Sequence, residues 1–174
     1  MKLISLGIIM DRDQRNTRMN KKLPDWFGKK RLYNEYFEEL NEKVILWDVL
    51  PIQSKQRIIV RFLSTNSDNH QGIRIAIDAG KGSLTINGVS AKEFNLWENE
   101  CPKEFEVECE SDEGYLSIYN IFEKIDWTGV MQEYSQMPYM GMRLTQSGNV
   151  YRYSCNNAER GSEFDKLVFE IELL

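Results

Sequence analysis

The chain has 174 residues, 41% hydrophobic and 28% charged, with a formal net charge of −5. That length makes one ordinary domain, and the composition is that of a globular protein, not a disordered one. No apolar run approaches the roughly 18–20 residues that cross a bilayer as a helix, so no membrane partner is expected. The opening stretch to Met10 is short and lacks the small-residue cleavage site of a secretory signal. Cys101, Cys109 and Cys155 form no Cys-x-x-Cys pair, and His70 is the single histidine. This pattern predicts buried thiols in a reduced, cytoplasmic protein without metal or cofactor.

Charge is unevenly spread. Residues 1–31 carry nine Lys and Arg against three Asp, a balance of +6, whereas residues 100–174 carry six against fifteen Asp and Glu, a balance of −9. A basic N-terminal arm can hold nucleic acid. With no aromatic residue before Trp26, the arm is expected instead to fold onto the acidic half or stay solvated.

In chain order, residues 3–10 alternate weakly, as a strand does, and residues 11–22 read as a polar loop. Over residues 29–42, Leu32, Tyr33, Tyr36, Phe37 and Leu40 recur at spacings of three and four with glutamates opposite, which predicts an amphipathic helix lying on a sheet. Its basic start and acidic end oppose the helix dipole. Pro51 cannot donate a ladder hydrogen bond and sets a boundary: a basic segment and helix over 1–52, then a β domain over 53–174.

Ile73, Ile75 and Ile77 alternate with Arg74 and Asp78 up to Gly80-Lys81-Gly82, which reads as a hairpin turning into a strand at 83–86. Further alternating runs at 57–63, 72–79, 105–109, 115–122, 140–145, 149–155 and 167–173 complete eight strands. Asn87-Gly88, Asp112-Glu113-Gly114 and Ser147-Gly148 supply turns that read as consecutive hairpins. The expected fold is mainly β, an antiparallel β-sandwich or jelly roll with one N-terminal α-helix packed against it. Crossings and function fall to the longer gaps at 65–70, 90–104, 123–139 and 156–166.

Catalytic signals are weak. His70 stands near Asp68 without a nucleophile elbow, Gly80-Lys81-Gly82-Ser83 lacks the spacing of a phosphate loop, and no spacing selects a pair among the many carboxylates. Glu104, Glu106, Glu108 and Glu110, like Glu170 and Glu172, line outer strand faces, where evenly spaced acids keep an edge soluble. More informative are Tyr115, Tyr119, Trp127, Tyr151 and Tyr153 with Arg152, rings that either stack on a ligand or fill the space between sheets. Met131, Met137, Met140 and Met142 cluster nearby, as adaptable surface or as gap-filling core. The sequence therefore predicts a non-catalytic binding protein whose partner is another protein, in the manner of an inhibitor or immunity module meeting a basic partner. The alternatives are a carbohydrate- or small-ligand-binding aromatic face and a carboxylate-based hydrolase.

Overall fold

A computed structural model describes residues 29–77, 81–159 and 163–174, so the expected strand at 3–10, the loop at 11–22 and Gly80 lie outside the described residues. In chain order the elements are β1 (Leu32–Tyr33), α1 (Glu35–Glu38), β2 (Ile45–Pro51), β3 (Lys55–Thr65), β4 (His70–Ile77), β5 (Gly82–Ile86), β6 (Val89–Ala91) and β7 (Glu93–Trp97). They continue with β8 (Glu104–Ser111), β9 (Tyr115–Ile125), β10 (Met131–Ser135), β11 (Gly141–Ser147), β12 (Val150–Asn156) and β13 (Leu167–Leu173).

The protein is mainly β. Eleven strands follow one antiparallel path, β6-β5-β8-β3-β13-β12-β11-β2-β9-β4-β7, nearly closed into a barrel, with β1 added on β2 and β10 on β9. The bend is made by β2, whose Ile45 pairs with Met142 of β11 while residues 48–51 pair with β9. Over the described residues all eight expected runs fall on strands, because each has an alternating apolar face to bury. Ile58 and Val60 of β3, Ile73, Ile75 and Ile77 of β4, Val107 of β8, Ile118 of β9, Tyr153 of β12 and Phe169 and Ile171 of β13 are all fully buried in one core.

The packed N-terminal helix is a correction. Over residues 29–42 only one helical turn forms, α1, with Asn34 as N-cap accepting from Tyr36 N at 3.1 Å. Asn41 adopts φ 59°, and Glu42 N bonds Phe37 O at 2.8 Å, which closes the turn as a left-handed cap does. Leu32 and Tyr33 instead pair with Trp47 and Ile45, and Asn34 N donates to Val44 O at 2.8 Å. Splitting the helix relieves the opposed dipole: Glu35 and Glu38 now sit in the first turn of α1, where negative charge is favourable.

A second correction concerns the hairpin expected across Gly80-Lys81-Gly82. Strand β4 pairs with β7 and β9, whereas β5 pairs with β6 and β8, so the two strands are not hydrogen-bonded to each other and lie near opposite ends of the strand path. The turn 112–114 likewise connects non-neighbours, while Asn87-Gly88 and Ser147-Gly148 do close the hairpins β5–β6 and β11–β12. Among the described residues, no helix is long and apolar enough to cross a membrane.

Inside the bend lies a buried carboxylate. Asp48 is fully buried and accepts from Arg31 Nε at 2.6 Å, Arg31 Nη2 at 3.1 Å, Tyr153 Oη at 2.8 Å and Val49 N at 2.7 Å. Tyr153 also stacks on Phe169, centroids 4.8 Å apart. Burial, then the Asp48 charge, push the Tyr153 hydroxyl well above the ordinary value of 10. The unfolded chain ionises this tyrosine first, so stability is undiminished below about pH 10 and falls as pH rises past it. In thermal melts between about pH 9 and 11, the wild type should lose stability more steeply than Tyr153→Phe; parallel curves would show that the hydroxyl is not protected.

Candidate functional site

The strands β9 and β10 form a hairpin that runs past the barrel, with Met131 opposite Ile125 and Tyr134 opposite Phe122. Its tip, residues 126–130, is tied by Asp126: Oδ1 accepts from Thr128 N at 2.7 Å, Thr128 Oγ1 at 2.5 Å and Val130 N at 3.1 Å. Asp126 N also bonds Val130 O at 2.9 Å, and Gly129 takes φ 82°, which a side chain would resist. Hydrogen bonds, that from Thr128 foremost, hold the Asp126 carboxyl below its usual range.

This turn fixes Trp127 outward, 95% exposed, beside Ile125 at 60%, Val130 at 52% and Met131 at 45%. The base of the hairpin is strapped down. Glu133 of β10 accepts from Arg74 Nη2 at 2.8 Å and from Asn95 Nδ2 at 2.6 Å, while Arg74 also donates to Asn95 Oδ1 at 2.5 Å and Tyr119 Oη at 3.1 Å. Beneath the tip, Phe122 and Tyr134 stack at 5.2 Å and line a cavity of about 330 Å³ with Trp127, Met137, Asn69 and Asn157.

Three asparagines brace the neighbouring chain. Asn34 Nδ2 donates to Met140 O at 2.8 Å, Asn120 Nδ2 to Asn156 O at 2.8 Å, and Asn156 Nδ2 to Tyr139 O at 2.8 Å, with Asn156 Oδ1 accepting from Gly141 N at 2.7 Å. All three are buried. Asn34 and Asn156 satisfy backbone carbonyls that the irregular stretch between β10 and β11 would otherwise strand away from water, and Asn120 holds the backbone of Asn156 in turn.

The rings singled out from the sequence occupy separate places. Tyr115 is half-buried at the start of β9, opposite Pro51. Tyr119 is buried on the β9 face turned from Ile118, between Trp47 at 4.9 Å and the Arg74 guanidinium at 5.8 Å. Tyr153 lies inside the barrel on Asp48, Tyr151 is half-buried opposite Ile171, and Arg152 points outward with its Nε on Glu170 at 2.8 Å. Of the six, Trp127 alone lies at the hairpin tip, and it is the aromatic ring most open to solvent among the described residues. Sequence reasoning groups Tyr134 with Trp127 in one long segment but misses Phe122 and Asn157 as neighbours of Trp127, because it reads 123–139 as a crossing.

The acidic stripes are largely neutralised in place. On adjoining strands Arg57 pairs with Glu106 at 2.6 Å, Arg61 with Glu104 and with Glu172 at 2.7 Å, and Lys55 with Glu110 at 3.7 Å. Chemistry through carboxyls or thiols finds little support in protonation. Hydrogen bonds from Arg57, Lys29, Thr128 and Asn66 lower Glu106, Glu113, Asp126 and Asp165 respectively, with Glu113 brought to about 2. A general acid needs the opposite shift. Burial pushes Cys101 up to about 11 and Cys109 to about 12, away from reactive thiolates. No group of three or more metal-ligating side chains occurs among the described residues.

Comparison with family models, with curated proteins and with solved structures finds no match for this chain.

Fixed exposure and structural burial separate the hairpin's rings. Urea denaturation should place Trp127→Ala within about 0.5 kcal/mol of wild type and Tyr134→Ala about 1–3 kcal/mol below it; equal losses would mean that Trp127 packs as core.

Proposed function

We propose that this is a non-catalytic binding protein that docks another protein through the β9–β10 hairpin, with Trp127 as the anchor. The observation that carries the reading is a tryptophan 95% exposed on a turn locked by Asp126. Loops with exposed rings usually lose entropy on binding, but this one is already ordered, which lowers the cost of association. Tryptophan surrounded by smaller apolar side chains is the usual make-up of an interface hot spot.

The surrounding charges name the partner's chemistry. With Glu133 already paired to Arg74, Glu123 and Asp126 stand against Lys124 on the hairpin, a slight acidic excess, so the complementary surface is an apolar socket with a weakly basic rim. An inhibitor or immunity module of the cytoplasm, blocking a basic partner, fits that description. The Glu stripes on β8 and β13 contribute less to steering, since Arg57, Arg61 and Lys55 already share them. In this reading the barrel is flattened into a sandwich whose two faces meet at β2, leaving the hairpin at one end as the recognition element.

Immobilised wild type, Trp127→Ala and Trp127→Phe should be compared for retention of lysate proteins at low and high salt. Wild type is expected to retain a partner that Trp127→Ala releases, an affinity loss of about thirtyfold or more, with Trp127→Phe between the two. Identical retention by all three, or none by any, would overturn the reading.

A further inference from the structure

The β9–β10 hairpin carries a strand edge that no other strand covers among the described residues. Asp126 N bonds Val130 O at 2.9 Å, and the ladder runs on without a register shift through Gln132 opposite Lys124 and Tyr134 opposite Phe122. Bonded pairs alternate along an antiparallel ladder, so these two pairs are bonded as Asp126 and Val130 are. The main-chain N–H and C=O groups of Met131, Glu133 and Ser135 therefore point away from β9, on the side where β10 has no neighbouring strand.

Open edges are normally blunted by proline, by lysine, by a bulge or by shortness. Strand β10 has five residues and none of the first three devices, and its one charge, Glu133, is turned onto Arg74 and Asn95 at 2.8 and 2.6 Å. Other margins are smaller or in use. Strand β1 has two residues and β6 three, and Trp97 O at the end of β7 accepts from Glu100 N at 3.1 Å and Cys101 N at 2.9 Å.

We propose that the partner docked by Trp127 also adds a strand to β10, an extended segment of β-branched residues that runs antiparallel to it and ends in Lys or Arg. The inference rests on the docking reading and gives the partner its form: main-chain bonds supply affinity along the edge, while Trp127 anchors its end. Antiparallel pairing is the rule throughout this sheet. A strand added that way runs toward the tip, so its C-terminal residues meet Asp126, whose hydrogen-bond partners among the described residues are all uncharged. A basic residue there supplies the missing counter-charge.

The peptide Val-Thr-Val-Thr-Val-Lys-Lys, acetylated and amidated, is the probe, and amide hydrogen exchange of the full chain in ¹H–¹⁵N spectra is the readout. In the free protein the amides of Met131, Glu133 and Ser135 should exchange at least about tenfold faster than those of Gln132 and Tyr134. Saturating peptide should slow the first three to the rate of the other two. Met131→Pro removes one outward N–H and leaves the β9 ladder intact, so it should bind the peptide about tenfold more weakly than Met131→Ala. Glutamates in place of both lysines should weaken binding about fivefold. No slowing at β10, equal affinities of the two Met131 variants, or equal affinities of the two peptides would overturn the proposal. Should Met131→Pro fold poorly, the exchange pattern of the wild type decides. A lysate partner lost by Trp127→Ala, with no peptide protection, would strike strand addition alone, whereas protection of β10 with no lysate partner retained would strike the docking reading.

Discussion

The structure turns on one buried charge. A carboxylate taken out of water is costly unless a counter-charge and hydrogen bonds replace its hydration, and Asp48 receives both from three separate parts of the chain. Arg31 precedes β1, Tyr153 comes from β12, and the Val49 amide is its own neighbour on β2. Because β2 is the strand that leaves β11 to join β9, this is the point where the two sides of the barrel could most easily separate. Burial opposes the Arg31 charge, yet the Asp48 hydrogen bond and charge outweigh it and leave that guanidinium firmly protonated.

From that bend the rest follows by packing. The alternating isoleucines, leucines and valines close the interior, and close approach is permitted where side chains are absent: a Cβ on Gly72 would come within 2.7 Å of the Trp97 ring and of Leu96 O. At one end of the barrel β9 is flanked by β4 and β10 as far as Glu123, and its last two residues, Lys124 and Ile125, are paired by β10 alone. Polar side chains take over there from apolar burial. Glu133 straps the hairpin to Arg74 and Asn95, and Asn34, Asn120 and Asn156 hold the return to β11. A rigid scaffold thus presents a rigid tip, with an aromatic cavity at its root.

Much of this was legible residue by residue. Period-two runs marked eight strands, since burial of one face is a local signal. Partners were not legible: Ile73, Ile75 and Ile77 announce a buried face, but a buried face does not say whether β7 and β9 or β5 hydrogen-bond along the strand's edges. The helix over 29–42 failed for a related reason. Its apolar stripe also suits a short strand followed by one turn, and the gain from freeing Arg31 for Asp48 depends on a residue seventeen positions away. The hairpin strand β10 was hidden because Met131-Gln132-Glu133-Tyr134-Ser135 alternates too weakly, being half exposed on both faces. Among the site residues, Trp127 could be named from composition, whereas its exposure comes from the Asp126 turn.

If Asp48 couples the two sides of the barrel, Arg31 and Asp48 cannot act independently. A double-mutant cycle of Arg31→Ala and Asp48→Ala, measured by chemical denaturation, tests this most directly. Each single change should cost about 3–5 kcal/mol, and the pair should cost less than their sum by about 2 kcal/mol or more, because the second removal relieves a charge already stranded. Losses that add to within about 0.5 kcal/mol would contradict the account.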